Sequence, residues 1–216
     1  KGMNEFVWNM NVKGVENMDD MILWNGNVGS YKVPPGKYKV RVSNGQDSMI
    51  VDATILKDPN YEISDADYRA QFAFLNKIKN KFEQTQKTIK DIRSIRGQIN
   101  ALKDKMGDNY PKDLDSIGKQ ISKKLTEVEE HIYQTKAKSG QDVLNYPIRL
   151  NDKLAGVFDA ANQHTAPTKA ALDAYDDIAG KIDREINRFN DVLDSEVKTY
   201  NNLVREKQIG LIMLKK

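Results

Sequence analysis

The chain has 216 residues, of which 39% are hydrophobic and 30% are charged, with 34 Lys and Arg against 31 Asp and Glu. A net charge of +3 provides no domain-wide basic field, which argues against nucleic acid or an anionic membrane surface as a partner. The absence of cysteine excludes disulfides and thiolate metal sites, and no apolar run approaches the roughly 20 residues that span a bilayer.

The first sixty residues have the spacing of β-strands. Large apolar side chains alternate at Phe6, Trp8 and Met10, the period-two pattern of a half-buried strand, and this places Trp8 in the core. Residues 21–24 form a short continuous apolar run, which predicts a strand that is buried on both sides. These patterns indicate a small all-β unit.

A β-hairpin is predicted next in the chain. Residues 37–42 follow a Pro-Pro-Gly turn and alternate strictly between polar and apolar side chains. The dipeptide Asn44-Gly45 then predicts a two-residue type I′ turn, in which both residues have positive φ. This turn would pair the strand that ends at Val42 with a strand over residues 47–56.

The remainder of the chain has the three-and-four spacing of amphipathic helices. Ser64 and the acidic residues after it are typical of a helix start, and no proline interrupts residues 64–106. Pro167 stands at a normal position for the start of another helix. The predicted helices cover residues 64–106, 114–138, 148–158 and 168–204. The apolar tail at 209–214 is expected to pack back on the β half.

The composition changes abruptly at Asp58-Pro59. We therefore expect an α+β multidomain chain: a small β-sandwich at residues 1–60, followed by an up-and-down bundle of long α-helices at residues 61–216. So short a sandwich buries only about 60% of its surface, so we expect it to lean on the helices or on a preceding segment.

Three stretches of the sequence resemble one known protein family. The run SGQDVLNYPIRLNDKL at 139–154 is similar to a signature in the C-terminal region of bacterial sortilin-like β-propeller proteins, which are often labelled glycosyl hydrolases. FVWNM at 6–10 with VPPGKY at 33–38 resembles the immunoglobulin-like segment that follows the propeller. KDP at 57–59 with QFAFL at 71–75 resembles the junction with the helices. The resemblance covers about residues 4–204.

The resemblance implies an immunoglobulin-like sandwich, an upstream β-propeller of the same protein as the partner, and a periplasmic or extracellular location. Any hydrolytic or ligand-binding site of such a protein is expected in the propeller, and no catalytic residue of the family maps onto this chain. The fragment itself is therefore expected to be non-catalytic and to lack glycosidase activity. No cofactor is implied.

Candidate metal and acid–base residues are few. His131 and His164 are far apart and lack metal-ligand spacing, so both are interpreted as surface histidines. Glycoside hydrolysis needs two carboxylates across a cleft, and adjacent helical residues point about 100° apart. The acidic pairs are therefore interpreted as solvated faces; they are Asp19-Asp20, Glu129-Glu130 and Asp176-Asp177. No catalytic, cofactor-binding or metal-ligating residue is assigned.

Two groups of residues have a binding interpretation beside a structural one. The loop Asn145-Tyr146-Pro147 has a composition that can bind ligands, but the favoured interpretation is that Tyr146 closes the end of the bundle. The aromatic residues of the β half could form a carbohydrate platform, with Trp24 and Tyr31 as the pair that is freest to do so; the others are Trp8 and Tyr38.

Three functional hypotheses follow. In the first, the chain is a non-catalytic C-terminal spacer and docking region of an exported protein, whose bundle contacts a protein partner or a second copy of the chain. In the second, it is a carbohydrate-binding accessory module of a hydrolase, which an exposed aromatic platform would favour. In the third, it is itself a hydrolase, which a deep pocket with convergent carboxylates would favour.

Overall fold

The computed structural model describes residues 2–3, 5–16, 18–19, 21–24 and 28–210. Within these ranges, β1 (Asn11–Val12) pairs with β2 (Tyr31–Lys32), and β3 (Gly36–Ser43) pairs with β4 (Ser48–Ile55). The helices that follow are α1 (Asp65–Met106), α2 (Lys112–Ile132), α3 (Leu150–Ala161), α4 (Lys169–Val192) and α5 (Lys198–Glu206). A π-helical turn, Leu193–Val197, joins α4 to α5, and 3₁₀ turns occupy Gly107–Asn109 and Gly140–Leu144.

Helix α1 is one uninterrupted helix of 42 residues, about 63 Å long at 1.5 Å per residue. Its N-terminus is capped by Ser64, whose hydroxyl accepts a 3.1 Å hydrogen bond from the backbone N–H of Asp67. The helix continues through Gly97 and ends at Met106. Gly107, its C-cap, has a positive φ of 54°. The predicted continuous helix over residues 64–106 is confirmed.

The helices form a bundle of three rods: α1, then α2 with α3, and then α4 with α5. We call α2 with α3 the middle rod, and it is interrupted between the two helices. Helix α2 returns along the C-terminal half of α1, α3 continues along its N-terminal half, and α4 with α5 runs back beside both. The directions follow from cross-helix hydrogen bonds: Arg96 to Thr126 at 2.7 Å, Gln71 to the carbonyl of Ala161 at 3.0 Å, Lys81 to Asp183 at 2.5 Å, and Tyr110 to Tyr200 at 2.8 Å. No helix of the described ranges is long and apolar enough to cross a bilayer.

The second helix ends earlier than the sequence predicted. Tyr133 has extended backbone angles, φ −130° and ψ 143°, so α2 stops at Ile132 instead of continuing to the residue before Ser139. The side-chain amide of Gln134 then donates to the carbonyl of Pro147 at 2.9 Å, which ties the two ends of the following loop together. The interruption leaves a gap in the middle rod between α2 and α3.

The N-terminal segment packs at this gap. Met18 is buried in the core formed by α1, α2 and α4–α5, whereas Val28 and Tyr31 are buried in the core formed by α1, α3 and α4. The backbone N–H of Ile22 donates to the hydroxyl of Tyr133 at 3.1 Å, and that of Trp24 donates to Asp152 Oδ2 at 2.8 Å. Met18, Val28 and Tyr31 of this segment therefore belong to the helical core.

Within this segment the backbone at Gly14 lies directly against the backbone of Val28 and Gly29. A Cβ at this position would lie 2.4 Å from the carbonyl carbon of Gly29 and 2.7 Å from the carbonyl oxygen of Val28. The N–H of Val15 donates to that same oxygen at 2.9 Å. Only glycine allows the two backbone stretches to approach this closely.

The predicted fold class is wrong. The described chain is mostly helical, and its two sheets have two strands each, so there is no immunoglobulin-like β-sandwich. Residues 6–10 and 21–24, which were predicted as strands, form no strand. A strand needs a neighbour for its N–H and C=O groups, and here Met18, Val28 and Tyr31 are buried between helices instead. The proposed domain boundary at residue 60 stays a prediction.

The predicted hairpin exists, with a different turn. Val42 pairs with Met49 and Ser43 with Ser48, so four residues, 44–47, separate the strands. Gly45 has a φ of 94°, but Asn44 does not adopt positive φ. Its side-chain oxygen instead accepts from the backbone N–H groups of Gln46 and Asp47, at 3.0 and 2.7 Å. This Asx-type turn replaces the type I′ turn.

Candidate functional site

The hairpin β3–β4 has one apolar and one mainly polar face. Directly opposed residues of an antiparallel pair point to the same side of the sheet. The pairs Tyr38–Ala53, Val40–Val51 and Val42–Met49 therefore form one face that is entirely apolar. Lys37, Lys39, Arg41, Asp52 and Thr54 lie on the opposite face, together with Ile50. We call the first set the apolar hairpin face.

The outer part of the apolar hairpin face is uncovered. Val42 is 57% exposed and Met49 63% exposed, and the exposure falls towards Tyr38 and Ala53 at the base. In the described part of the chain, neither β3 nor β4 pairs with a third strand, so each has a free edge. A two-stranded hairpin is marginally stable in water by itself.

Only the base of the hairpin is anchored. The hydroxyl of Tyr38 donates to the carbonyl of Pro34 at 2.5 Å, and the ring of Trp8 packs edge-on against the ring of Tyr38 at 6.3 Å. The indole N–H of Trp8 donates to the carbonyl of Asn11 at 3.2 Å. Trp8 is partly exposed, so the prediction that it belongs to the core is wrong.

A cavity of 600 Å³ lies where β1, β2 and the base of the hairpin meet α1 and the residues after α3. Its lining includes Asn11, Ser30, Tyr68 and His164, and a single carboxylate, Asp58. Asn11 Nδ2 donates to the hydroxyl of Ser30 at 3.2 Å, whereas Asn11 Oδ1 is buried without a hydrogen-bond partner. The volume lies in the range of small-molecule sites.

The predicted aromatic platform is not formed. Tyr31 is 1% exposed, and its hydroxyl donates to Asn76 Oδ1 at 2.7 Å, so its ring has no face for a sugar. Trp24 is half exposed, without Tyr31 beside it. A different pair stacks at the rim of the cavity: the rings of Tyr61 and His164 lie 4.2 Å apart and nearly parallel.

The two histidines are placed far from each other. His131, on α2, is exposed with Nδ1 3.1 Å from Glu185 Oε1, and His164 follows α3. In the ranges that the structure describes, no three His, Asp or Glu side chains gather as a metal site would require.

One acidic pair differs from its predicted environment. Glu129 is buried, not solvated, and its carboxylate binds two guanidinium groups: Arg93 Nε at 2.7 Å and Arg96 Nη2. Asp176 and Asp177 form surface ion pairs with Lys77 and Lys181, as expected of a solvated face. Of the pair Asp19-Asp20, Asp20 lies outside the described residues. Residues 211–214, in the tail that was expected to pack on the β half, also lie outside them.

The loop between α2 and α3 is ordered by its own hydrogen bonds. The backbone N–H groups of Lys138 and Ser139 donate to Asp142 Oδ2 at 2.6 and 3.1 Å, and they hold the pKa of Asp142 below its ordinary value. Tyr146 remains partly exposed and lines a narrow crevice with Trp24 and Asp152. These contacts support a structural role for the loop.

Two functional features escaped the sequence analysis. The uncovered state of the apolar hairpin face could not be read from alternation, because the same pattern is typical of a strand with one face in a core. No function was predicted for Arg149, which lies within the run at 139–154. Its Nε is buried without a hydrogen-bond partner.

No protein-family model, no curated protein and no solved structure matches this chain. The resemblance to the C-terminal region of sortilin-like β-propeller proteins therefore stays a prediction.

Proposed function

We propose that the chain is a non-catalytic spacer and docking region of a larger exported protein, and that its apolar hairpin face covers a β-sheet of the neighbouring domain. The observation that carries this proposal is the pairing of an entirely apolar face with free strand edges on a hairpin anchored only at its base. The resemblance to sortilin-like proteins supplies the identity of the partner: an upstream β-propeller.

Burial explains why the hairpin would dock. Val40, Val42, Met49 and Val51 are 40–63% exposed. Complete burial of a fully exposed side chain of this kind contributes roughly 1.5–3 kcal/mol, so covering each of these half-exposed side chains contributes about half as much. The free edges can also accept a further strand through backbone hydrogen bonds. Sheet-on-sheet packing uses this combination of an apolar inner and a polar outer face.

The helices suit the spacer role. Helix α1 holds a fixed length of about 63 Å, and α2, α3, α4 and α5 pack along it. Cross-helix ion pairs join α1 to its neighbours: Lys103 to Asp115 of α2 at 2.6 Å, near the C-terminus of α1, and Lys81 to Asp183 of α4 at 2.5 Å, in its N-terminal half. A rod of this kind separates whatever is attached to its ends.

Limited trypsin digestion tests the docking proposal. The sites at Lys37, Lys39 and Arg41 lie in β3, and in the chain alone they are expected to be cut readily. In the longer protein that includes the preceding domain, cleavage there should slow by at least about tenfold, because docked strands must open first. Mass spectrometry of the fragments measures each site separately.

Matched variants show whether the apolar face causes the protection. Val42→Glu places a charge on the apolar hairpin face, whereas Ser43→Glu places it on the opposite face one residue away. The first variant should lose the protection and the second should retain it, with Lys136, exposed after α2, as an internal reference. Equal cleavage of β3 in the short and the long protein would contradict the proposal, as would protection that arises only by self-association.

A second candidate function is binding of a neutral polar ligand such as a carbohydrate. The 600 Å³ cavity favours it, because amide, hydroxyl and ring groups line its walls. A single lining carboxylate, Asp58, does not provide the pair that hydrolysis needs. This ligand would therefore be bound and not cleaved.

Titration of oligosaccharides and pull-down on insoluble polysaccharides test this alternative. His164→Ala removes a cavity wall and should weaken binding by about tenfold, whereas His131→Ala changes a histidine outside the cavity and should leave it unchanged. Product analysis should show no hydrolysis. Activity that a single Asp or Glu to Ala change abolished in a folded variant would overturn both candidate functions.

A further inference from the structure

A hollow smaller than the 600 Å³ cavity lies beside the gap between α2 and α3. It has a volume of 260 Å³ and opens between the end of α2, the start of α3 and the middle of α4. Six ionisable side chains line it: His131, Arg149, Lys153, Lys181, Arg184 and Glu185.

The hollow concentrates positive charge. Four of its side chains are Lys or Arg and one is Glu, in a chain whose total net charge is only +3. The carboxylate of Glu185 is already occupied, since it lies 2.9 Å from Arg188 Nη1 and 3.1 Å from His131 Nδ1. Lys181 is paired with Asp177 at 2.5 Å.

The remaining three cations lack such partners. Arg149, Lys153 and Arg184 form no ion pair with any carboxylate of the described residues. Bringing like charges together without a counter-charge is unfavourable. A bound anion would remove this cost.

Arg149 provides the second observation. Its Nε–H is buried and has no hydrogen-bond acceptor, which is an unfavourable state for a buried donor. Arg149 is also the residue before the first turn of α3, a 12-residue helix whose N-cap side chain makes no capping bond. The positive end of the helix dipole is therefore directed at the same place.

We propose that this hollow binds a small doubly charged oxyanion, a phosphate or sulfate group, held by Arg149, Lys153 and Arg184. A guanidinium presents paired N–H donors that match the oxygens of such a group, and a lysine adds a point charge. The volume corresponds to roughly eight or nine water molecules, which is space for one such group. The site is independent of the docking proposal, because no hairpin residue lines it.

Titration calorimetry with inorganic phosphate and with inorganic sulfate tests the proposal. The chain should bind at least one of the two saturably, with one site per chain, and added NaCl should weaken the binding. Equal binding of both ions identifies a general oxyanion site, whereas a preference identifies the group that the natural ligand carries. Saturable binding of neither ion overturns the proposal.

Variants locate the site. Arg184→Gln, at an exposed position on α4, should weaken binding by about tenfold, and Arg149→Gln should weaken it at least as much. Arg69→Gln is the matched control, because Arg69 is exposed on α1, forms no ion pair with the described residues and lies outside the hollow. Circular dichroism confirms that each variant is folded. An equal loss in all three variants, or none in Arg184→Gln, would show that the anion binds elsewhere.

Discussion

Replacing Glu129 by alanine is expected to lower the free energy of unfolding by about 3 kcal/mol. The carboxylate is only 2% exposed and neutralises two arginines at once, Arg93 and Arg96. Removing one partner of a buried ion pair costs about 3–5 kcal/mol, because the other partner is left unpaired. The arginine side chains are 40% and 23% exposed and can turn towards water, so we expect the lower end of this range.

Urea unfolding followed by far-ultraviolet circular dichroism measures this effect. Glu130→Ala is the matched control, because Glu130 is the adjacent residue on α2 and forms no ion pair with the described residues; its change should stay within about 0.5 kcal/mol. Against a total stability of about 5–15 kcal/mol, the loss at Glu129 is large. A loss below 1 kcal/mol would mean that the carboxylate is solvated, as the sequence suggested.

Replacing Tyr31 by alanine is expected to cost about 3–5 kcal/mol, the range for removing a large buried aromatic side chain. Its ring packs against Phe72 of α1 and Phe158 of α3, with ring centres 5.7 and 5.8 Å apart. Loss of the Tyr31 hydroxyl also removes the hydrogen-bond donor to Asn76 Oδ1. Tyr61→Ala, at a partly exposed ring, is the control and should cost less than about 1 kcal/mol.

The same variant tests whether residues 1–60 are a separate domain. Both tryptophans lie in this part of the chain, so their fluorescence reports on it, while far-ultraviolet ellipticity reports on the helices. Because Tyr31 is part of the helical core, the two signals should shift together to lower urea. A shift of the fluorescence alone would show that the N-terminal residues unfold independently of the helices.

Local signals predicted the parts of the fold that local interactions determine. The helix over residues 64–106 was predictable because Ser64 caps it and apolar residues recur every three or four positions along it. The pairing of β3 with β4 was predictable from the strict alternation over residues 37–42 and from the turn signal Asn44-Gly45. Apolar spacing alone did not predict the end of α2, because Tyr133 leaves the helix while its hydroxyl meets Ile22, a residue 111 positions away.

The burial of Met18, Val28 and Tyr31 between helices depends on such distant partners, and so does the pairing of Glu129 with two arginines. The position of Glu129 did contain a signal: it stands four residues after Leu125 on the apolar side of α2, where a carboxylate needs a cation. The hollow at Arg149 could not be inferred, since residues of three different helices line it.

The contact between the N-terminal segment and α3 has a consequence for synthesis on the ribosome. Trp24 is made 128 residues before Asp152, its hydrogen-bond acceptor, and chains grow at about 5–20 residues per second. The side chains of Met18, Val28 and Tyr31 wait longer, about 8–36 s, because the cores that bury them extend to Ile186 and Tyr200. During this interval the nascent chain presents an apolar stretch that chaperones can bind and neighbouring chains can aggregate with.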